Sequence, residues 1–113
     1  MTLSGTALLA RIFLGEGDKI GSRPAYAAIV EEARRRSIRG ATVLKGIMGY
    51  GAGSRIHTAA VLRLSEDLPV VVELVDEEAR IRGLLPWLEE VLGGGLVTLE
   101  KVEVIRYESG HRQ

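Results

Sequence analysis

Four glycines in eight positions, Gly46, Gly49, Gly51 and Gly53, punctuate the run Gly-Ile-Met-Gly-Tyr-Gly-Ala-Gly. Such spacing gives the backbone access to positive φ and lets its amides come close to a ligand. Lys45, Arg55, His57 and Arg63 lie near the run, and between Glu32 and Glu66 the chain carries seven basic residues and no carboxylate. Amides and cations together suit an anion such as a phosphate. The competing reading is a hairpin tip whose charges only keep it solvated, and composition alone leaves both open. The run is not a Walker loop, because no Gly-Lys-Ser/Thr follows, nor a dinucleotide fingerprint, because a strand rather than a helix is predicted next. A second glycine cluster, Gly93, Gly94 and Gly95, exceeds what a helix end requires and offers a second backbone cradle.

Other chemistry finds little material. Cysteine is absent, which removes thiol nucleophiles, disulfides and cysteine zinc sites. The only histidines are His57 and His111, so neither a metal set nor a triad is predicted. The acids cap or solvate helices, and catalysis is not expected. The fifteen basic and fifteen acidic residues cancel, which argues against a general nucleic-acid or membrane binder. Their distribution is uneven, since ten acids face Arg80, Arg82 and Lys101 between Glu66 and Glu103. The two halves are therefore opposed in charge, and in an oligomer they could meet across an interface.

The elements that must position these residues follow from periodicity. Thr6 to Leu14 is read as a strand. Ser22 and Pro24 mark the start of a helix reaching Ile38, with Tyr26, Ile29, Val30 and Ala33 on its buried face and Gly40 as its left-handed cap. Thr42 to Leu44 and Leu68 to Val75 are read as the second and third strands, joined by the glycine-rich loop from Gly46 to Arg63. Asp76, Glu77 and Glu78 predict an N-cap and acidic first turn for a second helix, with Ile81, Leu84, Leu85, Leu88 and Leu92 as its apolar stripe. Pro86 is expected to kink or split that helix, with a bend from Gly83 to Pro86. Leu96 to Ile105 completes the set as a fourth strand.

The order β-α-β-β-α-β predicts an α+β, ferredoxin-like fold, a four-stranded antiparallel sheet with both helices on one face. Its other face is expected to be apolar and to be covered by self-association. At 113 residues the chain is read as one domain over residues 1–113, with a core of about 6–107 and a mobile tail at 108–113. An apolar fraction of 46%, no apolar run near the roughly 18 residues of a membrane span and no export signal predict a cytoplasmic protein that is not membrane-embedded.

Four segments carry a resemblance: Phe13-Leu14-Gly15-Glu16-x-Asp18-Lys19, Gly40-Ala41-Thr42-Val43, Gly46-Ile47-Met48-Gly49-Tyr50-Gly51, and Leu68-Pro69-Val70-Val71-Val72-Glu73-x-Val75-Asp76. Together they resemble the PII-like proteins known as domain of unknown function 190, over roughly Leu9 to Ile105. The resemblance implies a ferredoxin-like subunit of a homotrimer whose sheets line the inside. It also implies relatedness to nitrogen-regulatory PII proteins, which bind adenine nucleotides in clefts between subunits. In PII-type proteins a loop between the second and third strands docks onto a target, and a glycine-rich turn after the second helix holds phosphates. These correspond to Gly46 through Arg63, with Lys45 beside them, and to Gly93 through Gly95. A classical PII protein has a lysine near the position of Leu96, and the loop here is shorter. By analogy with PII C-terminal basic residues, Lys101 and Arg106 are candidates to replace that charge. The expected function is a regulator that binds a small anion, with ATP, ADP or AMP as candidate effectors, and signals to a protein target without a required cofactor. The alternatives are a trimeric metal-binding or metal-tolerance protein using His57, and an enzyme acting on a phosphorylated small molecule. Nucleic acid is not an expected partner.

Overall fold

Alternation decides the architecture. The computed structural model describes residues 5–50 and 68–108. Strand β1, Gly5–Gly15, sends Leu8, Ala10, Ile12 and Leu14 to one side, all buried. A short hairpin follows, β2 at Lys19–Ile20 and β3 at Arg23–Pro24, turning through Gly21. Helix α1 spans Ala25–Arg35, β4 Gly40–Lys45, β5 Pro69–Asp76, α2 Glu78–Val91 and β6 Leu96–Val104. The four long strands form one antiparallel sheet in the order β4-β5-β1-β6. That is the ferredoxin-like arrangement predicted from the element order, and the chain is α+β.

The core lies between the helices and one sheet face. Ile12 and Leu14 of β1, Val72 and Leu74 of β5, Ile29 and Ala33 of α1 and Ile81, Leu84 and Leu88 of α2 pack there. Full burial of one such Leu or Ile stabilises by about 1.5–3 kcal/mol. The predicted stripes are thus the packed ones, with Tyr26, Val30, Leu85, Trp87 and Leu92 half-buried at their margin. The opposite sheet face carries Phe13, Leu44, Val71, Val75 and Leu96 by the strand register. At its centre the Arg11 guanidinium bridges Glu73 at 2.9 Å and Glu100 at 3.0 Å.

Several local expectations are corrected. Helix α1 stops at Arg35 rather than Ile38, and its left-handed residue is Ser37, at φ 63°, not Gly40. The Ser37 amide donates to the Arg34 carbonyl at 2.9 Å and the Ile38 amide to the Ala33 carbonyl at 2.9 Å. This is a Schellman closure, with Ile38 tucked into the core, and it leaves Gly40 free to start β4. A side chain at positive φ costs about 1 kcal/mol. Ser37→Gly is therefore expected to raise the unfolding free energy by about that amount in urea titrations, and a fall would contradict this account.

Pro86 does not split α2, which is one helix from Glu78 to Val91. Pro86 lies on the exposed side, where the Arg82 carbonyl that it leaves without a donor can meet water. Asp76 is not the cap either. Glu77 occupies that position without a side-chain capping bond, while Asp76 ends β5 fully buried. The Asp76 carboxylate accepts from the Arg39 amide at 2.9 Å, from Arg39 Nη1 at 2.8 Å and from the Glu77 amide at 2.6 Å. The Tyr107 hydroxyl donates to the Arg39 carbonyl at 3.1 Å, so the chain beyond β6 reaches across this end of the sheet to β4.

Glu32 supplies a pH handle. It is buried on α1 and accepts hydrogen bonds from Arg35 and, at 2.7 Å, from Arg36 Nε. The bond from Arg35, then that from Arg36, hold its carboxyl below the usual glutamate range. Stability from a carboxylate of this kind is present above the unfolded pKa of about 4.3 and is lost as pH falls through the lower folded value. Glu32→Gln is expected to flatten the decline of urea midpoints below about pH 4.3, and an unaltered acid limb would refute it.

Candidate functional site

Antiparallel pairing gathers the glycine elements at one end of the sheet. Lys45 of β4 pairs with Val70, Gly15 of β1 with Pro69, and Leu96 of β6 with Phe13. The segments 15–19, 45–50, 68–69 and 93–96 therefore share that end. Lys45 Nζ sits 3.1 Å from Glu16 Oε2, while the Glu16 amide donates to the Leu68 carbonyl at 2.8 Å. The Gly46 amide donates to the Pro69 carbonyl at 2.7 Å, and a Cβ at Gly46 would stand 2.9 Å from Pro69 Cγ. Glycine is required there by close approach.

The turn after α2 is constrained more tightly. Gly95 adopts φ 113°, and a Cβ added to it would come within 2.9 Å of the Phe13 carbonyl oxygen and 3.3 Å of Leu14 Cδ2. Gly93, by contrast, has nothing within 4 Å of its notional Cβ. The turn separates two hollows. One, of about 420 Å³, lies between α2 and β6, walled by Leu85, Leu88, Leu92, Val97 and Leu99 with Glu89 at its rim. The other, about 200 Å³, is lined by Asp18, Lys19, Gly93 and Gly94. Asp18 is held as a turn-former, accepting from the Gly15 amide at 3.0 Å through Oδ2 and from the Ala25 amide at 2.8 Å through its carbonyl.

Lys45, Gly46 and Gly49 thus share an end with Gly93, Gly94 and Gly95, though on opposite edges of the sheet. Lys101 and Arg106 do not join them within one chain. Lys101 pairs with Leu8 and lies near α2's first turn, where Glu78 is held below its usual range by Arg82 first and then by Lys101. Arg106 stands 3.4 Å from Glu108. At about 3.3 Å per strand residue, Arg106 is roughly 30 Å from the glycine turn. Gly51, Gly53, Arg55, His57 and Arg63 lie outside the described residues, as does the tail from 109 onward. Among the described residues no group of three or more His, Asp or Glu is placed to hold a metal ion, and no helix is long and apolar enough to cross a membrane.

Sequence reasoning did not name Asp18, Lys19 or the walls of the larger hollow as site residues. Gly15-Glu16-x-Asp18-Lys19 was a signal for the first two, carrying resemblance but no site assignment. The walls had none, because every one of them also reads as core.

The family model of DUF190, an uncharacterized ACR, matches residues 7–104. The chain belongs to the DUF190 family. A DUF190 relative, the UPF0166 protein of Aquifex aeolicus (strain VF5), is 43% identical over 99 residues, covering 86% of this chain and 91% of that one. The UPF0166 protein MJ1524 of Methanocaldococcus jannaschii is 39% identical over 104 residues, covering 91% and 95%. Among solved structures, the apo form of CPII from Thiomonas intermedia K12, a nitrogen regulatory PII-like protein, superposes with a TM-score of 0.52 at 15% identity, covering 96% of this chain and all of that one. CPII bound to ADP, AMP and acetate gives 0.52 at 18% identity, covering 90% and 91%. At such identities the likeness concerns the fold, which is PII-like.

Proposed function

We propose that this DUF190 chain is a subunit of a PII-like regulatory homotrimer, non-enzymatic and cytoplasmic. It binds a small anionic effector, an adenine nucleotide, at clefts between subunits and signals to a protein partner through the loop that begins at Gly46. The observation that carries the reading is the Gly93–Gly95 turn, held close against β1 at Gly95 between an apolar hollow and one lined by Asp18 and Lys19. An apolar wall beside a glycine-rich turn suits a ligand with a flat apolar base and phosphates. Nucleotide binding by a protein of the same fold supports the choice of ligand. Lys45, Gly46, Gly49, Gly93, Gly94 and Gly95 are the residues assigned to the cleft. Lys101 and Arg106 could reach it only from a neighbouring subunit. Any conformational response requires contacts that differ between the loop's states.

Light scattering should give the mass of a trimer, and calorimetric titration with ATP, ADP, AMP and cyclic nucleotides should release heat with at least one of them. Absence of heat with all of them at millimolar concentration would remove the effector assignment.

A further inference from the structure

Arginine gathers at the end of the molecule remote from the glycine turns. Arg34, Arg35 and Arg36 follow one another through the last turn and cap of α1, and Arg80 stands in the first turn of α2. The two helix ends are laced together there. Arg36 Nη1 donates to the Gly83 carbonyl at 3.2 Å and Arg80 Nη1 to the Ser37 carbonyl at 3.4 Å. Four exposed arginines thereby occupy one corner of the helical layer. Strand β5 runs from Asp76 at this end to Pro69 beside the loop, roughly 23 Å at its ordinary rise per residue.

The acids of the corner are turned inward or already engaged. Buried Glu32 accepts from Arg35 and from Arg36 Nε, and buried Asp76 takes the Arg39 guanidinium. Glu77 lies 3.6 Å from Arg39. Glu78 pairs with Arg82, which faces the other flank of α2, since residues two apart on a helix do not share a side. Arg34 makes no hydrogen bond or ion pair among the described residues, and Arg35 keeps 75% of its side chain in solvent despite its bond to Glu32. Helix stability does not account for the whole group. Cations in the last turn of α1 favour its dipole, whereas Arg80 stands at the start of α2, where the dipole disfavours a cation.

A guanidinium pairs a carboxylate through two parallel N–H bonds, and one already steadied by a carbonyl loses less freedom in doing so. Arg80, held through Nη1, keeps its other N–H groups for such a partner. Adsorption to an anionic bilayer would call for apolar side chains beside the basic face, and neither α1 nor α2 exposes a large one. We infer that the corner formed by Arg34, Arg35, Arg36 and Arg80 docks an acidic segment of a partner protein. This contact lies outside the nucleotide cleft and the loop, so it stands or falls independently of the effector.

A short poly-glutamate peptide is the probe, titrated at low salt into isotope-labelled protein and followed by nuclear magnetic resonance. The amides of residues 34–38 and 80–83 should shift, together with the Nε–H signals of the four arginines. Arg34→Gln combined with Arg80→Gln should weaken the peptide by about tenfold, the combined effect of two exposed ion pairs. Arg34→Gln alone, at a side chain with no partner to lose, should weaken it by about threefold and reads the same contact if the double variant folds poorly. Arg23→Gln combined with Arg82→Gln removes the same formal charge away from the corner and should leave the affinity within about twofold. No shift with the peptide, shifts centred instead on Lys19 and Lys45, or equal weakening by the two double variants overturns the inference. Tighter binding of phosphatidylserine vesicles or of duplex DNA than of the peptide, at matched charge, also overturns it.

Discussion

Asp76→Ala is expected to lower the unfolding free energy by about 3–5 kcal/mol, the largest effect of any single substitution considered for this chain. Its carboxylate has no solvent exposure and accepts from two backbone amides and the Arg39 guanidinium. Truncation leaves those amides without their acceptor and takes from a guanidinium that is only 11% exposed its nearest carboxylate. Asp76→Asn keeps the shape and one acceptor oxygen and should lose less. In urea the midpoint of Asp76→Ala should fall with an unchanged slope. A loss below about 1 kcal/mol would mean that Glu77, 3.6 Å from Arg39 Nη1, or water replaces the carboxylate.

Gly95→Ala should be the next most costly change, by about 2–3 kcal/mol, because it places a side chain in a backbone region reserved for glycine and drives it onto the Phe13 carbonyl. Backbone cannot yield there as the end of a flexible side chain could. The adjoining Gly93→Ala meets open space and should stay within about 0.5 kcal/mol of the parent. The pair separates rigidity of the turn from mere loss of glycine. If the turn holds the effector, Gly95→Ala should also abolish the calorimetric heat while Gly93→Ala retains it. Equal stability of the two variants would show that the turn is not held against β1.

The architecture could be read from the sequence wherever a short-range period reports burial. Ile29 and Ala33, Ile81, Leu84 and Leu88, with Leu8, Ala10, Ile12 and Leu14 of β1 and Val70, Val72 and Leu74 of β5, are core, and their order in the chain fixes the ferredoxin-like arrangement. What was missed depends on partners far along the chain. Arg11 meets Glu73 and Glu100 across separations of 62 and 89 residues, and nothing local to Asp76 reveals that Arg39 will sit against it. The helix ends failed for a related reason. Ser37 takes the left-handed position because Ile38 must reach the core, an outcome that glycine counting sends to Gly40 instead. For the site, surplus glycine identified Gly93 to Gly95, but only the tertiary approach of Phe13 shows that Gly95 is obligatory where Gly93 is not. Lys45 was read as a candidate donor to an anion beside the loop, and the structure places Glu16 against it.

The bonds that join α1, α2 and the β4–β5 pair are concentrated away from the glycine turns. Arg36 donates to the Gly83 carbonyl at 3.2 Å and Arg80 to that of Ser37 at 3.4 Å, a reciprocal lacing of the two helices next to the Arg39, Asp76 and Tyr107 contacts. The sheet is thus clamped at its base like a tuning fork, and its tips, held by fewer bonds between the helices and the sheet, are expected to be the more compliant end. Amide exchange should be graded accordingly along each strand, slow near Asp76 and faster toward Pro69, with the tips opening in excursions that leave the base intact. Whatever engages the tips then bends a lever whose fulcrum is already set.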